Sequence, residues 1–86
     1  MTRTGPFWLI RTQDVNGVSG TGTVAEGIVF EGGHVALHWL TPLSSIAIYD
    51  SIEVVARLHG HGGRTRVRWE DGSYYQPARV SAHRKG

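Results

Sequence analysis

The chain contains no cysteine, and this absence removes several classes of site at once. A disulfide framework, a thiolate zinc site and a cysteine nucleophile all require thiols. Proline is scarce, with three residues in 86, and hydrophobic residues make up 40% of the chain, so the composition is not that of a disordered protein. We therefore expect one small globular domain. The absence of cysteine agrees with a reducing cellular compartment.

Long apolar runs are missing as well. The longest one near the N-terminus is Phe7–Ile10, which Arg11 ends. A signal-peptide core needs at least about seven apolar residues and a membrane-spanning helix about twenty. We predict a cytoplasmic protein without membrane association. A chain of this length has room for one core, and we assign residues 1–80 to a single domain and residues 81–86 to a flexible basic end.

Short segments of alternating apolar and polar residues recur along the chain and are typical of strands. In the clearest one, Val35, Leu37 and Trp39 share a face, which predicts that they belong to the core. Trp8 and Trp69 are most simply core residues too, although Trp8 could instead be an exposed interface anchor. The predicted strands cover residues 7–12, 23–31, 34–41, 45–49 and 64–69, with a short final strand within 74–80.

One segment changes to a helical period. Asp50 and Glu53 have the spacing of a capping box, and a short helix over about residues 51–59 follows, with Gly60 as a left-handed cap. Short strands separated by turns, with one helix near the C-terminal end, indicate a mostly β fold. We predict a small SH3-like or partly open β-barrel with the order β-β-β-β-α-β.

The combination V-S-G-T-G-T-V-A-E-G, V-A-L-H-W-L and H-G-H-G-G, over roughly Leu9 to Trp69, resembles a family of small proteins of bacteria, notably actinobacteria, and of their phages and plasmids. The resemblance implies a mobile-element setting. It brings no activity, cofactor or site residue with it. Residues 70–86 lie beyond the resemblance and are interpreted as an addition of this chain.

The glycine-rich segment Gly20–Ala25 matches the G-x-G-x-x-A dinucleotide fingerprint. That motif needs a preceding strand and a following helix whose N-terminus faces the pyrophosphate. Here the following residues are predicted to form a strand, so we expect no nucleotide cofactor. Tight hairpin geometry explains the glycines better, although an anion-binding nest of backbone N–H groups is an alternative.

Five histidines raise the question of a metal site. His34 and His38 share a strand face about 13 Å apart, too far for one ion. His59 and His61 are closer, but a third ligand would have to come from Asp50, Glu53 or His83. No serine lies in a nucleophile elbow, and no carboxylates form an evident catalytic pair. We predict neither a metal site nor enzymatic activity.

Charge is distributed unevenly along the chain. Residues 1–56 carry two basic and five acidic side chains, whereas residues 57–86 carry seven basic and two acidic ones, so the net charges are −3 and +5. Such asymmetry favours an anionic partner for the C-terminal third. Within it Arg64, Arg66 and Arg68 alternate with Thr65, Val67 and Trp69. The arginines line one strand face at about 6.6–7 Å intervals, near the phosphate repeat of a nucleic-acid strand.

We therefore predict a non-enzymatic module that binds nucleic acid or another polyanion. The candidate contact residues are Arg64, Arg66, Arg68, Tyr74, Tyr75, Arg79, Arg84 and Lys85, with the tyrosines as stacking groups. Arginines on an outward strand face also serve simply to keep it soluble and unpaired. The alternative function is a protein-interaction module or a self-associating accessory protein of phage type, with a host or phage protein as partner.

Overall fold

A computed structural model describes residues 3–12 and 22–76. Its elements are β1 (Gly5–Arg11), β2 (Gly22–Val29), β3 (Val35–Trp39), β4 (Ile46–Tyr49), α1 (Ile52–His59) and β5 (Thr65–Trp69), with a single 3₁₀ turn (His61–Gly63) before β5. The predicted order β-β-β-β-α-β is confirmed.

All five strands form one antiparallel sheet in the order β4-β3-β2-β1-β5. In the described part of the chain the sheet is open rather than closed, with β4 and β5 at its two edges. The chain therefore has to cross the sheet between β4 and β5, and α1 makes that crossing. The two edge strands carry different side chains.

One face of the sheet packs against α1 and forms the core; we call it the inner face. Phe7, Leu9 and Leu37 are fully buried there, and Ile52 and Val55 are the buried residues of α1. The remaining members of the core are Ala25, Val29, Val35, Val67 and Trp69. The opposite face, the outer face, has no element of the described chain packed over it.

The three tryptophans do not form one cluster. Trp69 is buried and meets Phe7 edge-to-face at 6.0 Å. Trp39 lies half-buried at the margin of the inner face. Trp8 is on the outer face, because it alternates with the buried Phe7 and Leu9. The expectation of a three-tryptophan core is therefore wrong for Trp8.

Gly27 is a point of close approach between β2 and its neighbouring strands. A Cβ there would overlap the ring of Phe7 and lie 2.8 Å from the carbonyl oxygen of Ala36. The β1–β2 register shifts at a different place, between Leu9 and Ile10. Gly27 thus makes room for the buried ring of Phe7.

The N-cap of the helix lies one residue later in the chain than predicted. Ser51, not Asp50, is the N-cap, and its side chain accepts a hydrogen bond from the backbone N–H of Val54 at 3.3 Å. Gly60 has a right-handed conformation, φ −76°, so the predicted left-handed cap is also wrong there. Positive φ occurs instead at Gly62 and Gly63, where the chain turns from α1 into β5.

Candidate functional site

The predicted arginine stripe lies on β5 and the residue before it. Thr65, Val67 and Trp69 point into the core, so Arg66 and Arg68 face the other way, onto the outer face. Arg64 precedes the strand and is exposed, and its carbonyl oxygen accepts hydrogen bonds from the backbone N–H and the hydroxyl of Thr12, at 2.7 and 3.0 Å. The backbone of the stripe is therefore held in place by core packing on the inner face and by pairing with β1.

Tyr74 stands beside the stripe. It forms an isolated antiparallel bridge with Arg68, so its side chain shares the face of the arginines. The guanidinium carbon of Arg66 lies 4.2 Å from the centre of the Tyr74 ring, a cation–π contact. On the other side of β5, Trp8 of β1 is directly opposite Arg68. Two aromatic rings thus flank the guanidinium groups on the outer face.

A tight turn after β5 brings Tyr74 to this position. The Asp71 carboxylate accepts hydrogen bonds from the hydroxyl and the backbone N–H of Ser73, at 2.6 and 2.9 Å, and pairs with Arg3 at 3.1 Å. These contacts, the Ser73 hydroxyl first, lower the pKa of Asp71 from 3.8 to about 2. The backbone N–H of Trp69 donates to the carbonyl of Ser73 at 2.7 Å and closes the turn.

The three arginines of the stripe have no carboxylate partner in residues 3–12 and 22–76. The ion pairs there join Arg3 to Asp71, His34 to Asp50 and His38 to Glu26. Glu70 is the acidic residue next in sequence to the stripe, and it forms no ion pair in the same ranges. The guanidinium groups of the stripe are therefore positive charges whose counter-charge does not come from the described chain.

The structure does not bring Tyr75 to the stripe. Its backbone N–H donates to the carbonyl of Val67 at 2.8 Å, and its ring meets Trp69 edge-to-face at 6.5 Å on the inner side. Partial burial, followed by the charge of Glu53, raises the pKa of the Tyr75 hydroxyl. There Tyr75 helps to line a groove of about 550 Å³ between α1 and β5. Arg79, Arg84 and Lys85 lie outside the described residues.

His34, His38 and His59 contact other polar side chains, His34 through an ion pair with Asp50. Nδ1 of His38 is 2.9 Å from Glu26, and its Nε2 is 3.3 Å from the Ser44 hydroxyl. Nε2 of His59 is 2.9 Å from the Tyr49 hydroxyl, and its ring meets Trp39 edge-to-face at 5.0 Å. Among the residues that the structure describes, no three histidine or carboxylate side chains converge as a metal-binding group. Residues 13–21, which include the first glycine of the G-x-G-x-x-A match, lie outside the described residues.

Comparison with known proteins places the chain in a family. The model of a family described as Acb5 phage protein matches residues 4–71. The chain belongs to the Acb5 phage protein family. No curated protein and no solved structure matches it. No helix in the described ranges is long and apolar enough to cross a membrane.

The Acb5 match covers all five strands and α1, so the arginine stripe lies within the family region and Tyr74 lies just after it. The phage part of the resemblance noted from the sequence is thereby confirmed. Its span, roughly Leu9 to Trp69, falls within the matched residues.

Sequence reasoning missed the composition of the outer face of this Acb5 protein. Ile28, Ile46 and Ile48 are exposed there, and a shallow groove of about 350 Å³ runs over Gly27 and Ala36. The alternation of Ile46 and Ile48 with Ala47 and Tyr49 was visible in the sequence. It did not reveal which of the two faces of β4 the core would cover, because both are apolar.

Proposed function

We propose that this phage-family protein is a non-enzymatic binding module that holds a nucleic-acid strand, or a polyanion of similar charge spacing, on its arginine stripe. The observation that carries the proposal is the set of three guanidinium groups on one edge of the sheet without a carboxylate partner in the described chain. Phosphate groups are a matching counter-charge, because arginine donates paired hydrogen bonds to their oxygens.

The surroundings of the stripe support a nucleic acid more than a simple anion. Successive arginines on one strand face are about 6.6–7 Å apart, close to the phosphate spacing of an extended strand. Tyr74 and Trp8 add aromatic surface on the same face. Stacking of bases on such rings is tolerant of sequence and accompanies electrostatic contacts in single-strand binding.

The test is the salt dependence of binding to a fluorescently labelled 20-mer, measured by anisotropy. Release of counterions from about three phosphates predicts a slope of log K against log salt near −2 for a single strand. The double variant Arg66→Glu/Arg68→Glu should weaken binding at least tenfold and flatten the slope. Tyr74→Ala should weaken binding with little change in slope, because the ring carries no charge.

Arg57→Glu is the matched control, because Arg57 is exposed on α1, away from the outer face, and the charge change per site is the same. It should leave the affinity within about twofold. An affinity that does not depend on salt concentration would refute the proposal. An affinity that falls equally in Arg57→Glu and in the stripe variants would refute it as well.

A second candidate function is a protein-interaction module acting on a phage or host protein. The exposed Ile28, Ile46 and Ile48 on the outer face favour it, since such residues are usually covered when they are contiguous. A pull-down from host lysate with and without nuclease separates the two functions. Partners lost on nuclease treatment support the nucleic-acid module, and partners retained by the stripe variants support the protein module.

A further inference from the structure

The two edge strands of the sheet are protected to very different degrees. At β5 the segment after the strand folds back, with hydrogen bonds from Trp69 N–H to Ser73 and from Tyr75 N–H to Val67, and the arginines add charge. At β4 the sequence Ile46–Tyr49 contains no charged residue, no proline and no bulge. Nothing in the described chain pairs with its free side. Natural edge strands normally carry at least one of these protective devices.

The backbone of β4 shows which groups face the free side. The backbone N–H of Trp39 donates to the carbonyl of Ser45 at 3.0 Å, and Leu37 is directly opposite Ala47. In an antiparallel ladder the residues that bond to a neighbour alternate. The odd-numbered residues of β4 therefore bond to β3, and the N–H and C=O groups of Ile46 and Ile48 point to the free edge.

The side chains of these two residues are also unusual for an edge. Ile46 is 69% exposed and Ile48 is 65% exposed, both on the outer face. Through Ala36, Ile48 continues to the exposed Ile28 of β2, which is in register with Ala36. At Ile46 and Ile48, β4 thus combines exposed apolar side chains with unpaired backbone groups.

We propose that a second copy of this chain pairs with β4, antiparallel, about a two-fold axis at Ala47. The segment Ile46-Ala47-Ile48 reads the same in both directions. An antiparallel pair centred on Ala47 therefore places each Ile46 opposite Ile48 of the second copy. All four outward N–H groups and all four outward carbonyl groups of the two isoleucine pairs lie opposite partners, which gives four main-chain hydrogen bonds.

The same register is favourable in charge. Continued by two residues, it brings Asp50 of one copy opposite Ser44 of the other. The Asp50 side chain is 93% exposed, and the Ser44 hydroxyl already lies 3.3 Å from Nε2 of His38. Each carboxylate thus meets a hydroxyl and an imidazole across the seam, and no two like charges face one another. A closed, isologous pair results, which is the commonest symmetry of homo-oligomers.

The size of the contact predicts its strength. A fully exposed isoleucine side chain has on the order of 100 Å² of surface that can be buried. Ile46 and Ile48 therefore bury less than about 200 Å² per copy. A standard interface buries roughly 800 Å² per partner. The strip of main-chain hydrogen bonds adds to the contact. We expect a weak dimer that dissociates on dilution, with a dissociation constant in the upper micromolar range.

Sedimentation equilibrium over about 1 μM to 1 mM tests the dimer. Ile48→Lys should weaken association at least tenfold, whereas Leu43→Lys, at a residue 92% exposed and outside β4, should leave it unchanged. Ile48→Pro should be folded and monomeric, because it removes a donor that faces the free edge and leaves the ladder to β3 intact. Far-UV circular dichroism checks folding of every variant.

Single cysteines test the register, because the natural chain has no thiol. Ala47 is a non-hydrogen-bonded position at the axis, where Cα atoms approach to about 4.5 Å, within the range of a disulfide. Under mild oxidation Ala47→Cys should form a disulfide dimer much faster than Ile46→Cys or Leu43→Cys.

Two results would overturn the proposal. One is a protein that stays monomeric at every concentration. This result is also expected if a different protein, and not a second copy, pairs with β4. The other is a dimer that is insensitive to Ile48→Lys or whose cross-linking is no faster at position 47 than at position 43. The outcome is independent of the nucleic-acid proposal, since the arginine variants on β5 should dimerise normally.

Discussion

At the scale of single residues, alternation along each strand decides what a side chain does. Arg66 and Arg68 are on the outer face because Val67 and Trp69 are buried. Such positions could be predicted from the sequence, because each depends on immediate neighbours only. The placement of Tyr75 could not, because it depends on a turn that folds back against β5 and turns its ring toward Trp69.

Asp71, at the centre of that turn, gives a prediction of pH dependence. Its pKa is about 2 in the folded protein against 3.8 ordinarily. A group whose pKa is depressed by folding stabilises the fold above its unfolded pKa, and this contribution is lost as the pH falls from about 4 to 2. In Asp71→Asn this part of the acid dependence should be absent when Tm is measured between pH 6 and pH 2.

Glu70→Gln is the control for Asp71, because Glu70 is exposed in the same turn and has no ion pair in the described residues. It should retain the acid dependence of the natural chain. Equal loss of the dependence in both variants would contradict the role of the Asp71–Ser73 contacts.

At the scale of elements, the helix shows how closely local signals compete. Asp50 and Ser51 are both good N-cap residues, so from local preferences the helix could begin after either of them. The structure selects Ser51, because a helix beginning at Ile52 turns Ile52 and Val55 onto the sheet. Packing against the core, which is not local information, thus decides a boundary that capping preferences leave open.

Ser51→Ala should therefore lower the free energy of unfolding by about 0.5–2 kcal/mol, the usual cost of losing an N-cap. Asp50→Ala is the control, and it should cost at most a few tenths of that, since Asp50 is highly exposed and its one ion pair, to His34, is long at 3.8 Å. Urea denaturation measures both. A larger loss in Asp50→Ala than in Ser51→Ala would show that the predicted capping box is formed in solution.

At the scale of the whole molecule, the two edges of the open sheet differ in charge and in polarity. The β5 edge carries the arginine stripe, and the β4 edge is bare and apolar. In the proposed dimer the two-fold axis is perpendicular to the joined sheet at its centre, and the twist of the strands rotates the two stripes relative to each other. They lie at its two ends, nine strand spacings or about 40 Å apart along the sheet.

This arrangement predicts a dependence on ligand length. An oligonucleotide long enough to reach both stripes should bind the dimer at least tenfold more tightly than an 8-mer, because the second contact is intramolecular. In Ile48→Lys that advantage should disappear, whereas Leu43→Lys should retain it. Titration of a length series by anisotropy, with protein above the dimer dissociation constant, measures it. An equal gain with length in the Ile48→Lys monomer would contradict the arrangement.

The sequence alone determined the mostly β class, the order of the elements and the separation of Arg66 and Arg68 from the buried residues of β5. Those features follow from periodicity and turn residues, which act over a few positions. Only the tertiary structure decided that the sheet is open, which face of β4 lies toward the core, and that Trp8 stands beside the arginines. They depend on which strands become neighbours and on where α1 crosses, and these are contacts between residues far apart in the chain.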